Sequence, residues 1–406
     1  MSRYIQMLAA GMVLCQCLCS GRIFAADQSV KTTSSPNAAV IYWQAFAMMP
    51  TLEGDAKTKY EAAVKNQSGP IDSSISAIVS RFDAALRDLN RARSVSACDW
   101  NLDYDAGFET LLPHLSKART LAQAGLLRAR MRFGAGKVDD ALSDVMSVMK
   151  LARDCSNSPL LISMLVDSSI EKMAADVLAA NLAKLNSEQL ASLSVSLKTL
   201  AATPSLADCI RFESSLYGDW LDKILNTEAK KVNDPKAGGQ VFEALFKRLN
   251  PGGDQTPEAV QRRKLLEKAT VADVRESVRL LRADYSELSR ISGLPTAERI
   301  VALAAFRTVI DQASKSNKQE DALRVLSYIS LPAISKIATS EEQLQVRRQL
   351  LFMAVELQRS GPDAIKDAKI PGHGPVEYRK TNDGVELVCK PLSADKPEVL
   401  RINNAR

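Results

Sequence analysis

His114 and His373 are the only two histidines among 406 residues. Such scarcity argues against an imidazole-rich metal centre. Glycine is also sparse, at 18 residues, and no Gly-rich loop ending in Gly-Lys-Ser/Thr is present to cradle a phosphate. Three of the seven cysteines fall within the first twenty residues. The remaining four, Cys98, Cys155, Cys209 and Cys389, are spaced far too widely for a Cys-x-x-Cys zinc site. Excess charge of one sign is missing as well. The 53 Lys and Arg against 47 Asp and Glu leave +6, and the two signs are interspersed. A nucleic-acid partner needs a concentrated basic face, so none is indicated. Long apolar runs are absent after the N-terminus. "LLISMLVDSSIEKMAADVLAANLAKL" comes nearest, but Asp167, Glu171, Lys172 and Asp176 interrupt it, and a span needs roughly 20 apolar residues.

The N-terminus does carry a targeting pattern. Arg3 precedes the apolar run Met7–Cys19, and "SGRIFAADQ" follows. That is a secretory signal peptide over residues 1–25, with cleavage after Ala25. An uncleaved anchor is the alternative reading. Cys15, Cys17 and Cys19 lack the preceding Leu-small-small pattern of a lipoprotein. The expectation is an exported chain, periplasmic or extracellular, with no transmembrane span after the signal peptide. Losing Arg3 and Arg22 lowers the formal charge from +6 to +4. In an oxidising compartment, Cys98, Cys155, Cys209 and Cys389 are candidate disulfide cysteines with three possible connectivities. Equally, they can be buried small hydrophobes.

Residues 26–35 read as a flexible polar leader, and from Pro36 to Gly361 apolar residues recur at helical spacing. "PNAAVIYWQAFAMMP" is a helix bounded by Pro36 and Pro50. Ile71, Ile75, Ile78, Val79, Phe82 and Leu86 make an i, i+3, i+4, i+7 stripe, read as one helix. "LLRARMRFGAGKVDDALSDVMSVMKLARD" is a helical hairpin around "GAGKVDD". Ala129, Gly136 and Ala141 stand where a tetratricopeptide-type unit wants small residues. No second copy follows, and such arrays need about three. Ser187 starts a helix, and "SLADCIRFESSLYGDWLDKILNTEAKKV" is a long helix bearing Phe212, Leu216, Trp220 and Ile224. "VNDPKAGGQ" and "NPGGDQTPEAV" are turn-rich breaks, a hinge or lid around "VFEALFKRL". Pro257–Ser292 reads as one helix whose seam (Val271, Val274, Val278, Leu281, Tyr285, Leu288) is too short for a coiled coil. Ser340 starts the last long helix and Gly361 stops it. Residues 362–406 change character: "GPVEYRKTNDGVELVCKPL" alternates around the hairpin turn Asn382-Asp383-Gly384. Its apolar side holds Val376, Tyr378, Val385, Leu387 and Cys389. An isolated hairpin is unstable in water, so it must lie on the helical body or pair with another chain. The fold class is therefore all-α, a multi-helix bundle or irregular α-solenoid with a small C-terminal β-hairpin.

"CDWNLDYDAGFETLLPHLSKAR", Cys98 to Arg119, concentrates chemistry-capable side chains. Asp99, Asn101, Asp103 and Asp105 alternate as in a calcium loop. However, an EF-hand needs Gly at its sixth and Glu at its twelfth position, where Tyr104 and Thr110 stand. Cys98 and His114 are a conceivable nucleophile and base, without a surrounding motif. Trp100, Tyr104, Phe108, His114 and Arg119 form a candidate binding surface, since aromatic anchors are frequent at interfaces. The favoured reading is a loop that organises a helix, with Pro113 in its first turn and Trp100 as a plug.

Two stretches carry a resemblance. Cys98–Arg119 with "AQAGLLRARMRF", and "RRQLLFMAVELQRSG" through "PGHGPVEYRKTNDGVEL", resemble a family of uncharacterised exported helical proteins of planctomycete-type bacteria. There a helix ending in Gly leads to a Gly-x-Pro segment and a Tyr-Arg hairpin closed by Asp-Gly. A related hairpin occurs in type II secretion pseudopilins. "LQRSGPDAIKDAKIPGHG" departs from the full aromatic, Pro and Asp-Pro pattern, and the pseudopilin's methylated N-terminal helix is absent, so a pilus role is not implied. The resemblance covers about half the chain and brings no activity, catalytic residue or cofactor with it. The expected function is a non-enzymatic interaction or scaffold protein of the bacterial cell envelope, with an envelope protein as partner. The alternative is an envelope enzyme or small-ligand-binding protein with an interhelical pocket near residues 98–119.

Overall fold

Asn37 opens the first helix by accepting the Ala39 amide through its side chain at 3.0 Å, the usual work of an N-cap. The same side chain exchanges hydrogen bonds with Asp99, 2.8 Å to its carbonyl and 2.9 Å from its amide. The chain start is thereby tied to the loop near Cys98. The computed structural model describes residues 36–66, 71–249, 256–316, 318–331 and 334–404. The signal peptide (1–25), the leader (26–35) and the Asn-Pro-Gly-Gly break lie outside these, at least for residues 1–35 and 250–255.

The described chain is all-α with a small C-terminal sheet. Its helices are α1 (Ala38–Ala47), α2 (Gly54–Lys65), α3 (Ser73–Ser80), α4 (Asp83–Ala92), α5 (Pro113–Gly134), α6 (Val138–Cys155), α7 (Leu161–Ala179) and α8 (Ser187–Thr199). They continue with α9 (Leu206–Val232), α10 (Gly238–Leu249), α11 (Pro257–Leu266), α12 (Val271–Ser292), α13 (Thr296–Lys315), α14 (Gln319–Ala322), α15 (Val325–Ser330) and α16 (Ile334–Ser360). Short ribbon strands β1 (Lys369–Ile370) and β2 (Gly374–Pro375) precede the antiparallel sheet β3 (Glu377–Thr381), β4 (Gly384–Cys389), β5 (Glu398–Asn403).

Several boundaries differ from the periodicity. The stripe over 71–93 is broken at Arg81–Phe82, where the amides bond three residues back to Ile78 and Val79, while Phe82 stacks on Tyr60 at 5.6 Å. Pro257–Ser292 is two helices, because Thr270 and Asp273 form a reciprocal capping box that starts α12. Helix α8 does begin at Ser187, with Asn186 as its N-cap and Gln189 completing the capping box. The α9 face that packs is centred on Leu206, Ile210, Glu213, Trp220 and Leu221, leaving Phe212 and Leu216 at its margin. Helix α16 begins before Ser340 but does stop at Gly361, whose φ of 81° only glycine adopts freely. The first Gly-rich break is pinned. Gly239 N bonds Ala269 O at 3.2 Å and Val271 N bonds Pro235 O at 2.9 Å.

Two hydrophobic cores result. The first gathers α1–α8, the second half of α16 and the sheet, with Tyr42, Phe82, Leu86, Leu121, Leu127 and Leu151 at its centre. The second gathers α9–α15 around Phe242, Leu281, Tyr285 and Leu288. Helices α7 and α16 take part in both: Met164 and Ile337 lie in the second core, Ile170 and Leu350 in the first. The hairpin lies on the helical body. Val376, Tyr378, Val385, Leu387 and Cys389 pack against the first core, and β5 is a third strand that the turn signal does not announce. Strand β3 is one edge of the sheet, and its exposed Glu377, Arg379 and Lys380 discourage pairing with another strand.

The segment between α4 and α5 straps the two cores together. Trp100 sits in the first. The 3₁₀ turn Tyr104–Glu109 lies on α9 of the second, with Phe108 stacked on Tyr217 at 3.7 Å. Gly107 permits that approach, with φ of 56° and a backbone so close that an added Cβ would meet Trp220 Cγ at 2.1 Å. Gly107→Ala is therefore expected to cost about 2–4 kcal/mol, from overpacking plus left-handed strain. Urea denaturation measures it, and a loss below about 1 kcal/mol would mean the strap is not seated on α9.

Candidate binding cleft and buried polar seam

The residues that the sequence gathers between Cys98 and Arg119 do not form one surface. Trp100 is buried, stacked on His114 with centroids 4.4 Å apart and on Tyr42 at 5.6 Å, and its Nε1 donates to the Asp154 carbonyl at 2.7 Å. It is a plug. Tyr104 and Phe108 are half-buried against Phe212 and Tyr217, and Arg119 is exposed on α5. Asp99 and Asp103 accept the amides of Asn101 and Asp105 at 2.9 and 3.1 Å, so these carboxylates brace their own loop. Among the described residues no group of three or more His, Cys, Asp or Glu is arranged to hold a metal ion.

Nor does this region favour nucleophilic chemistry. The four cysteines Cys98, Cys155, Cys209 and Cys389 are unpaired. Burial, then Asp154, raises the Cys98 thiol, and burial, then Asp167, raises Cys155. Burial likewise pushes Cys209 up to about 12. A reactive cysteine needs the opposite shift. Both nitrogens of the fully buried His114 lack a hydrogen-bond partner, and burial lowers its pKa to about 4. Neutral His114 is thus a packing ring.

Where α7 and α16 pass from one core to the other, both turn polar. Helix α7 presents Ser163, Asp167, Ser168 and Glu171, and α16 presents Glu341, Glu342, Arg347 and Arg348, all but Arg348 buried. Arg348 meets Glu171 with bonds of 2.7 and 3.1 Å, and Arg153 reaches the same carboxylate at 2.5 Å. Asp167, one turn away on α7, lies 3.8 Å from Arg348 and has no hydrogen-bond partner on either oxygen. Burial first, then repulsion from Glu171, raises its pKa well above the ordinary carboxylate value. Burial opposes the Arg348 charge, yet Glu171 and Asp167 hold its pKa above the ordinary value. On the sheet side Arg347 pairs with Asp176 and with Glu398 at 2.7 Å, and donates to the β5 carbonyl of Val399 at 3.3 Å.

The other seam carboxylates satisfy backbone amides. Glu341 accepts from Leu206 N at 3.2 Å at the start of α9 and from Arg299 at 3.1 Å. Glu213 accepts from Leu161 N at 2.8 Å at the start of α7, and burial raises its pKa to about 7 despite that bond. Glu342 takes the amides of Leu392 and Ser393 and lies 3.1 Å from His373 Nδ1. Charges at these depths are costly unless fully paired. Their arrangement joins elements rather than exposing a reactive group.

The accessible concavity lies elsewhere. A cleft of about 1100 Å³ opens between the C-terminal ends of α5 and α7, the β3–β4 turn and the end of β5. Arg130, Lys184 and Arg401 supply positive charge, Asp383 and Glu386 negative charge, and Asn181, Asn403 and Asn404 amides. Arg130 donates to Ala63 O at 3.1 Å, Lys184 contacts Phe133 O at 3.5 Å, and Arg401 pairs with Glu386 at 2.8 Å. Sequence reasoning missed this cleft because its lining comes from stretches far apart in the chain, each of which reads as an ordinary polar helix end or turn. Comparison with protein-family models, curated proteins and solved structures gives no match.

His114 and Glu213 give pH effects of opposite sign. The native pKa of His114 is depressed, so its contribution is full above the unfolded value near 6.5 and is lost as pH falls towards about 4. That of Glu213 is raised, so its contribution is full below about 4.5 and is lost as pH rises through about 7. Each is worth about 3 kcal/mol when fully expressed. Relative to the parent chain, His114→Phe is expected to gain stability as pH falls from 6.5 to 4, and Glu213→Gln as pH rises from 4.5 to 7. Urea titrations across pH 4–8 read this directly, and stability curves parallel to the parent's would refute it.

Proposed function

We propose that this chain is a non-enzymatic interaction protein, exported to the bacterial cell envelope, which holds an extended polar segment of a partner protein in the cleft between α5, α7 and the C-terminal sheet. The observation that carries the reading is the cleft's make-up. It is open, carries both charge signs, and offers Asn181, Asn403 and Asn404 side by side with charged groups. A carboxamide both donates and accepts, which matches the peptide group. Pockets for small molecules are typically about 300–1,000 Å³ and mostly apolar, whereas this one lies just above that range and is as polar as it is apolar in its lining.

The chemistry-capable groups support the same conclusion from the other side. Cys155, His114, Asp167 and Glu171 are buried away from the cleft lining. The rival small-ligand site near residues 98–119 has the Trp100 and His114 rings in the space it would need. Among the described residues no helix is long and apolar enough to cross a membrane. Export rests on the N-terminal pattern of Arg3, the Met7–Cys19 run and Ala25.

Lys184 and Arg401 are both exposed, so reversing them leaves the core untouched. Mild cross-linking of the native protein, affinity purification and mass spectrometry are expected to return a stoichiometric envelope partner. Lys184→Glu with Arg401→Glu should reduce its recovery at least tenfold, roughly 1.4 kcal/mol, with Tm lowered only slightly by loss of the exposed Arg401–Glu386 pair. A partner retained at full yield by the double variant would move the binding face elsewhere. A protein that comes back alone would end the interaction reading.

A further inference from the structure

We propose that Cys98 and Cys155 are joined by a disulfide in the oxidised protein, clasping the strap to the C-terminal end of α6, while Cys209 and Cys389 remain thiols. Hydrogen bonds already hold the neighbourhoods of the two cysteines together. Asn157, two residues beyond Cys155, donates its side-chain amide to the Cys98 carbonyl at 3.2 Å. Two residues further along the strap, Trp100 donates to the carbonyl of Asp154, the neighbour of Cys155, at 2.7 Å. Residues 98 and 100 are thus each anchored to the 154–157 segment by a side-chain hydrogen bond. Both thiols are also close enough to the Tyr42 hydroxyl to act on it electrostatically, and to each other, and Tyr42 itself donates to Asp154 at 2.7 Å. Disulfide formation needs Cα atoms within about 7 Å, a range this double tether is suited to keep.

Among the described residues the other two cysteines have no such neighbour. Cys209 lies in the second core, with Glu213, Asp208 and Glu341 around it, and Cys389 lies under the sheet on the first. Of the three ways to form two bridges, none is needed: one pair shares a tethered neighbourhood and the other two thiols are separately buried.

The chemistry is thiol–disulfide exchange with a disulfide-bearing oxidant. One cysteine thiolate attacks the oxidant, forming a mixed disulfide and releasing one thiol. The second cysteine then displaces the other thiol, closing the Cys98–Cys155 bond, with two protons and two electrons passed to the oxidant in all. Because Cys155 is fully buried in the folded chain and burial keeps both groups as thiols, exchange is slow once the strap has docked. The bond is expected to form during folding.

The test uses the full chain with the other five cysteines changed to Ser, refolded in reduced and oxidised glutathione, alkylated under denaturing conditions and mapped by mass spectrometry. The expected product is one peptide pair linked through Cys98 and Cys155, lighter by two hydrogens and unalkylated. Two alkylated cysteines, or two glutathione adducts, would overturn the proposal. The parent chain is mapped alongside it, where any linkage involving Cys209 or Cys389 would overturn it too. Under oxidising conditions Cys98→Ser, Cys155→Ser and the double variant should each lower Tm by the same amount, roughly 5 °C for a ring of this size, and the difference should vanish with reductant. Unequal losses, or a loss that persists in reductant, would reduce the pair to ordinary packing. The outcome is independent of whether the cleft binds a partner.

Discussion

The meeting of Glu171 with Arg348 and Arg153 is the constraint around which the rest of the fold is arranged. Helices α7 and α16 are the two long elements that belong to both hydrophobic cores, and they are held to each other where neither core covers them with apolar groups. Arg348 holds Glu171 with two bonds, and Arg347, the preceding residue, turns to Asp176 and Glu398. One turn of helix thus fixes both the α7 contact and the docking of β5. A buried ion pair is weak evidence for net stability, because desolvation offsets much of the attraction. What the seam supplies is registry. Sliding α16 by one residue would exchange Arg347 for Arg348 and leave charges buried without partners, a penalty of several kcal/mol that an apolar seam would not impose.

The seam also explains why the carboxylates that look most like catalytic acids are placed as they are. Glu341 and Glu213 meet the first amides of α9 and α7, groups that have no partner within their own helix and would otherwise be buried unsatisfied. Glu342 does the same for the loop before β5. Perturbed carboxylates cluster at active sites, but structural networks perturb them too, and here each acid is committed to a backbone or guanidinium partner apart from Asp167. There, burial and the neighbouring Glu171 oppose the charged form instead.

How much of this was legible in the sequence depends on the length scale of the signal. Helix identity and the C-terminal alternation are local, and the apolar spacing of Val274, Val278, Leu281, Tyr285 and Leu288 marks a face that is indeed buried. Breaks were legible only where their chemistry was recognised. Thr270-x-x-Asp273 is a capping box in plain view, yet the continuing apolar period on both sides masks it. The kink at Arg81–Phe82 has no such signature, since it follows from Phe82 stacking on Tyr60 across the core. Both charged assemblies, seam and cleft, are built from residues 40 to more than 220 positions apart, and single residues such as Arg348 or Lys184 read as solvated surface until the partners are in place.

Cys98–Arg119 shows the same gap from the opposite direction. Its density of Trp, Tyr, Phe, His and Asp reads as a site, and its composition does have a purpose, but a mechanical one. A strap that must enter two cores within a dozen residues needs large rings at both ends, and Trp100 and Phe108 are those rings. Between them it needs turns, and Asp99 and Asp103 supply these by accepting amides two residues ahead. Gly107 then lets the second end lie flat against Trp220. Aromatics, acids and glycine in a short loop are the materials of a binding lip and equally those of a clasp between two cores. What separates the two is whether the rings find partners within the same chain, and here Tyr42, His114, Tyr217 and Trp220 already hold them.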